Sequence, residues 1–127
     1  MFLDTSVIID IFRHEPDDDR FRKIYGHIGD EPLYMSMMQV GEISDVCIRS
    51  GVDPGGTLSL IKEFVNIVPL SEEICLEGAR IVEEMREKGA TGFCLIDGMV
   101  LASARSVGQR LLTGDGDFKG AGDVVVL

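Results

Sequence analysis

Asp4 closes the short apolar run Met1-Phe2-Leu3, and Asp115 and Asp117 follow Leu111-Leu112 in Thr113-Gly114-Asp115-Gly116-Asp117-Phe118. Both runs are too brief and too abruptly ended for helices, and read as buried strands. In an open α/β sheet ligands bind beyond the carboxyl ends of the strands, so acids at those ends are placed to face a cation. Glu42 lies in the first half of a segment with helical spacing. A long side chain there can reach back to the strand end, because helical side chains lean toward their own N-terminus. Asp97 opens Gly98-Met99-Val100-Leu101-Ala102-Ser103-Ala104-Arg105, a run that reads as a buried helix. Each acid also has a local explanation: Asp4 and Asp97 as helix N-caps, Glu42 as a solvated glutamate, residues 113–117 as a turn.

Together these residues bring four or five carboxylates to one edge. Two carboxylates about 4 Å apart repel by up to roughly 4 kcal/mol at an effective dielectric near 20, so such a cluster calls for a compensating cation. No His or Cys accompanies the acids. A hard, all-oxygen donor set suits Mg²⁺ or Mn²⁺ better than zinc. Such ions activate a water and clamp the oxygens of an in-line phosphoryl displacement.

The elements that must position these acids alternate between strand and helix. After the first strand, Val7–Phe12 reads as a helical turn or two, and Arg20–Ile28 as a second helix behind the acidic loop 15–19. Pro32–Ser36 reads as a strand and Met37–Arg49 as a helix burying Val40, Ile43, Cys47 and Ile48. Gly51–Gly56 breaks the chain before a helix over Thr57–Val65. Asn66–Leu70 reads as a third strand, with Pro69 marking an edge or a strand end. Ser71 caps a long helix whose Ile74, Gly78, Ile81, Val82 and Met85 share one face, closed by Lys88-Gly89. Ala90–Ile96 is a connection to the Asp97 helix, and Val124–Leu127 is the last strand. Alternation of this kind predicts a parallel sheet with right-handed crossovers, all strand carboxyl ends on one side.

A length of 127 residues suits one domain over residues 1–127 that buries roughly two-thirds of its unfolded surface. Cys47, Cys75 and Cys94 fall in no zinc or C-x-x-C pattern, which points to buried, reduced thiols and a cytoplasmic setting. His14 and His27 lack a partner at ligand spacing and read as surface residues. No basic leader precedes an apolar stretch and no run is long enough to span a bilayer, so a soluble protein is expected. The net charge of −10 argues against a broad basic surface for nucleic acid; Arg20, Arg22 and Lys23 form one small basic cluster.

Four pieces in this order resemble the PIN-domain family, most closely the VapC-type toxins of prokaryotic toxin–antitoxin pairs. They are Met1-Phe2-Leu3-Asp4-Thr5-Ser6, the Glu42 helix after a short strand, Leu95-Ile96-Asp97-Gly98-Met99-Val100-Leu101-Ala102, and Leu111-Leu112-Thr113-Gly114-Asp115-Gly116-Asp117-Phe118. The resemblance implies a three-layer α/β/α sandwich around a five-stranded parallel sheet. It implies a Mg²⁺- or Mn²⁺-dependent endoribonuclease, homodimeric and held inactive by a small antitoxin protein. By position, Asp4, Glu42, Asp97 and Asp115 match the family's catalytic acids. Asp4, Asp97 and Asp115, with Asp117 as a supplementary acid, would hold metal, while Thr5 and Thr113 hold carboxylates by hydrogen bonds. Asp115 is expected to be the inward ligand, presented by the backbone freedom of Gly114 and Gly116, and Asp117 to fix the loop beside a buried Phe118. Gly98 stands where the family more often has alanine, which is expected to loosen the start of its helix.

Two other readings follow from the same residues. A phosphoaspartyl phosphatase would also place an aspartate after the first strand, but wants a second one where Ser6 stands. A catalytically inactive PIN-like binding module would give no reason for an acid at each strand end.

Overall fold

A computed structural model describes residues 1–127. Five strands, β1 (Phe2–Leu3), β2 (Leu33–Ser36), β3 (Val65–Val68), β4 (Leu111–Thr113) and β5 (Val124–Val126), form one sheet in the order β3-β2-β1-β4-β5. Every pairing is parallel, with Phe2 opposite both Tyr34 and Leu111, and Leu112 opposite Val125. Six helices cover the sheet: α1 (Thr5–Arg13), α2 (Asp19–Ile28), α3 (Met37–Arg49), α4 (Pro54–Ile61), α5 (Glu72–Glu87) and α6 (Leu95–Ser106). The architecture is the expected α/β/α sandwich.

Strand alternation divides the interior into two cores. Phe2 and Leu111 face one side, with Ile81, Val82 and Met85 of α5 and Met99–Ala102 of α6. Leu3 and Leu112 face the other, with Val7, Ile8, Ile24, Ile43 and Ile61 from α1 to α4. Side chains that alternate across a strand buried on both faces make exactly two layers of helix necessary. Because β2 lies on one side of β1 and β4 on the other, the strand order reverses beside β1. That reversal opens a crevice at the carboxyl ends of β1 and β4.

Helix boundaries depart from the sequence reading in ways that bear on the site. α1 starts at Thr5, directly behind Asp4, and runs nine residues. α4 begins three residues early, because the Asp53 carboxylate accepts from Gly55 N–H and Gly56 N–H and Pro54 takes the first helical position. α6 begins at Leu95, so Asp97 sits in its first turn and is not its N-cap. On α3, Ile48 is exposed rather than buried, and Gln39 is fully buried instead. Cys47 alone of the thiols is buried; Cys94 is exposed, against the expectation of buried cysteines. Phe118 is buried as expected, its ring edge-to-face with Phe93 at 5.0 Å between centroids.

Gly98 does not loosen α6. A Cβ there would overlap the Gly78 carbonyl oxygen and approach Val82 Cγ2 to 2.8 Å, while a Cβ on Gly78 would meet Met99 Cγ at 2.6 Å. The two glycines let α5 and α6 cross backbone to backbone, which seats the Asp97 end of α6 firmly on the core.

Candidate active site

The site is built where β1 and β4 end side by side, joined by the Asp4 N–H donating to Leu112 O at 2.9 Å. Asp4 holds the N-cap position of α1, yet its carboxylate caps nothing. Instead Asp4 Oδ2 accepts from Ser6 Oγ at 2.7 Å and from Thr113 Oγ1 at 2.8 Å. Thr113 is fully buried, and the same hydroxyl oxygen accepts the Asp115 N–H at 2.9 Å. Ser6 Oγ in turn accepts the Gly114 N–H at 3.1 Å. Two hydroxyls therefore knit the β1–α1 turn to the loop after β4 and set Asp4 and Asp115 in fixed relation.

Glu42 is brought in by the start of α3. Ser36 ends β2 and caps α3 in a reciprocal box, its N–H donating to Gln39 Oε1 at 2.7 Å. Gln39 Nε2 donates to Leu3 O at 2.7 Å, tying the helix to the end of β1. Glu42 lies three residues on, on the same helix face. There its Oε2 accepts a short hydrogen bond from Thr5 Oγ1.

Asp97 comes from the other core layer. Its Oδ2 accepts the Cys94 N–H at 2.7 Å, closing the first turn of α6. Burial pushes its carboxyl pKa above the ordinary range, the Cys94 donors work against that rise, and the charges of Asp115 and Asp4 add to it. Asp115 and Asp4 are the acids whose charge acts on Asp97. Asp117 donates its N–H to Asp115 Oδ1 at 2.9 Å, while its carboxylate packs on Gly92 in the segment that leads into α6.

The arrangement fits a hard divalent cation in its donor chemistry. Each of the four carboxylates engages one oxygen with protein donors and leaves the other without any: Asp4 Oδ1, Glu42 Oε1, Asp97 Oδ1 and Asp115 Oδ2. The carboxylates stand apart, with no three His, Cys, Asp or Glu side chains close enough together to grip an ion. Uncompensated like charges favour such spacing.

Sequence reasoning omitted three contributors. Gln39 carried a signal, the Ser36-x-x-Gln39 capping box. Ser6 carried a weaker one, a hydroxyl two residues past Asp4. Arg20, whose guanidinium lies against Gly114, was visible only as a member of the small Arg20, Arg22 and Lys23 cluster. A Cβ at Gly114 would meet the mobile end of the Arg20 side chain, and neither Gly114 nor Gly116 has a positive φ that would call for glycine.

A parallel five-stranded sandwich with Asp4 and Asp115 at the strand ends beside its order reversal defines a class, and comparison with known proteins places the chain within it. The PIN-domain profile matches residues 1–124, and the chain belongs to the PIN-domain family. No curated protein matches it by sequence. Solved structures share the fold across nearly the whole length. A toxin–antitoxin complex from Klebsiella pneumoniae has TM-score 0.75 at 20% identity, covering 98% of this chain and 95% of that one. VapBC2 from Rickettsia felis, bound to a promoter DNA fragment, has TM-score 0.76 at 14% identity, covering 99% and 96%. FitAcB from Neisseria gonorrhoeae has TM-score 0.63 at 22% identity, covering 99% and 95%. No helix is long and apolar enough to cross a membrane.

Proposed function

We propose that this protein is a Mg²⁺- or Mn²⁺-dependent endoribonuclease and the toxin of a toxin–antitoxin pair. The observation that carries the reading is the pair Asp4 and Asp115, linked through Thr113 at the ends of β1 and β4, each with one oxygen left free of protein donors. Asp4, Asp97 and Asp115 would hold the cation, with Asp117 contributing through water. A bound ion would lower the pKa of a coordinated water and neutralise charge on the scissile phosphate.

The chain's own residues do the remaining work. Thr113 and Ser6 saturate Asp4 Oδ2, so that Asp4 presents Oδ1 in one orientation. Thr5 does the same for Glu42, whose Oε1 would accept a hydrogen bond from the attacking water and orient it. Asp97, whose burial disfavours its charged form, would be relieved of that penalty by a bound cation and would serve as an anionic ligand. The structural neighbours are subunits of toxin–antitoxin complexes, which supports a small antitoxin as partner, and a homodimer is proposed with it. Three free thiols accord with a reducing cytoplasm.

Purified protein should cleave single-stranded RNA in Mn²⁺ and lose that activity with chelator or on Asp4→Asn. Cleavage that survives both treatments defeats the reading.

A further inference from the structure

We propose that Arg20 is the cation that receives a phosphate of the nucleic acid at this cleft, an inference that rests on the nuclease reading. A chain of net charge −10 that gathers acids at its site must still draw a polyanion onto it. A cation that could do so comes from α2, in the layer opposite Asp97.

Arg20 Nε donates to Asp10 Oδ2 on α1 at 2.8 Å, which fixes the plane of the guanidinium. That bond occupies one edge of the group. Neither terminal nitrogen donates to any protein acceptor, and Asp10 is the sole acid paired with the side chain. Nη2 occupies the space a side chain at position 114 would need, and Ser6 Oγ lies 3.4 Å from the same point. The guanidinium is therefore one residue from Asp115 and one hydroxyl from Asp4. With its side chain 32% exposed it is open to a ligand.

A role confined to the Asp10 pair explains little. A partly exposed ion pair contributes about 0–1 kcal/mol and makes no demand on residue 114. A planar fork with its terminal donors unspent, held beside the loop that carries Asp115, is suited to grip phosphate oxygens in pairs. Asp10 is then a positioning residue, and Gly114 is the opening through which the fork reaches the loop.

The test measures binding of a labelled single-stranded RNA of mixed sequence by anisotropy across a salt series in chelator, beside cleavage kinetics in Mn²⁺. The proteins are wild type, Arg20→Ala, Arg20→Gln, Arg20→Lys and Arg49→Ala, the last removing an equal charge from the far end of α3. Loss of one single-strand phosphate contact should lower the salt-dependence slope by about 0.7 in Arg20→Ala and Arg20→Gln, and leave it unchanged in Arg49→Ala. KM should rise about tenfold in both neutral variants while kcat moves by less than about threefold, the mark of lost binding rather than lost chemistry. Arg20→Lys should keep most of the slope but lose part of the affinity, as a point charge replaces a fork. If Arg20→Ala does not fold, Arg20→Gln decides. A wild-type slope and KM in the neutral variants, with wild type cleaving RNA, overturns the role of Arg20 alone. Equal slope losses in Arg20→Gln and Arg49→Ala also overturn it, because net charge would then be the cause. A wild-type protein that neither binds nor cleaves RNA removes the nuclease reading and this inference together.

Discussion

The Asp4 and Asp97 corners of the site are held by different means. Asp4 is braced by side chains, with the hydroxyls of Ser6 and Thr113 converging on one oxygen. Asp97 is braced by backbone: it closes the first turn of its own helix, and that helix is seated by the Gly78–Gly98 crossing with α5. The first corner can be dismantled one hydroxyl at a time. The second moves only if a whole helix moves. Stability and chemistry should therefore separate at the Asp4 corner and travel together at the Asp97 corner.

The largest effect should come from the acid that joins the Asp4 corner through Thr113. Asp115→Asn should lower RNA cleavage in saturating Mn²⁺ by more than about a hundredfold, exceeding what loss of a supporting hydrogen bond costs. Asp117→Asn, whose carboxylate lies on Gly92, should lose much less, with both variants folded. Comparable losses would show that both acids are ligands and that the loop turns Asp117 inward on ion binding.

Thr113→Val comes next. It removes the donor to Asp4 and the acceptor for the Asp115 N–H while conserving shape, and should cost about 10–100-fold in cleavage. Mn²⁺ affinity measured by calorimetry should fall alongside. Undiminished affinity would mean that the hydroxyl brace is dispensable.

At the other corner, Gly98→Ala should lower unfolding stability by about 1–3 kcal/mol, because a methyl group cannot fit against the Gly78 carbonyl without parting the helices. Urea denaturation reads the loss, and cleavage should fall with it. Full stability would show that the crossing relaxes cheaply and that Asp97 does not depend on it.

The smallest effect is a stability change of definite sign. In the folded chain burial, with help from Asp115 and Asp4, raises the Asp97 pKa above its unfolded value of 3.8. Its contribution to stability is therefore fully present below that value and is lost as pH rises through the folded pKa. Asp97→Asn keeps an acceptor for the Cys94 N–H but carries no charge. In chelator its melting temperature relative to wild type should rise as pH increases toward neutrality. Mn²⁺ at a hundredfold excess over its dissociation constant should stabilise wild type by about 2.7 kcal/mol and the variant by less. A pH-independent difference between the two proteins would contradict the burial argument.

Local chemistry made much of this protein legible from sequence. The apolar face of α5 came through residue by residue, because Ile74, Gly78, Ile81, Val82 and Met85 follow helical spacing and pack on a single surface. The span Met37–Arg49 and the strand ends bearing Asp4 and Asp115 came through because short apolar runs cut by Asp, Ser and Gly have few other conformations. What required tertiary structure were the partners that sequence separation hides. The resemblance implies that Thr113 holds a carboxylate, but that it is the carboxylate of Asp4, 109 positions away, is seen only in the fold, as is the reach of Gln39 to Leu3 across 36. Gly98 reads as a weak point by helix propensity and proves to be a contact point, since propensity scores a residue against its neighbours in sequence and not against the backbone of another helix. Arg20 shows the limit most plainly. The sequence shows Arg20 as one of a small basic cluster, and only the folding of α2 against α1 and the loop after β4 determines where its charge comes to rest.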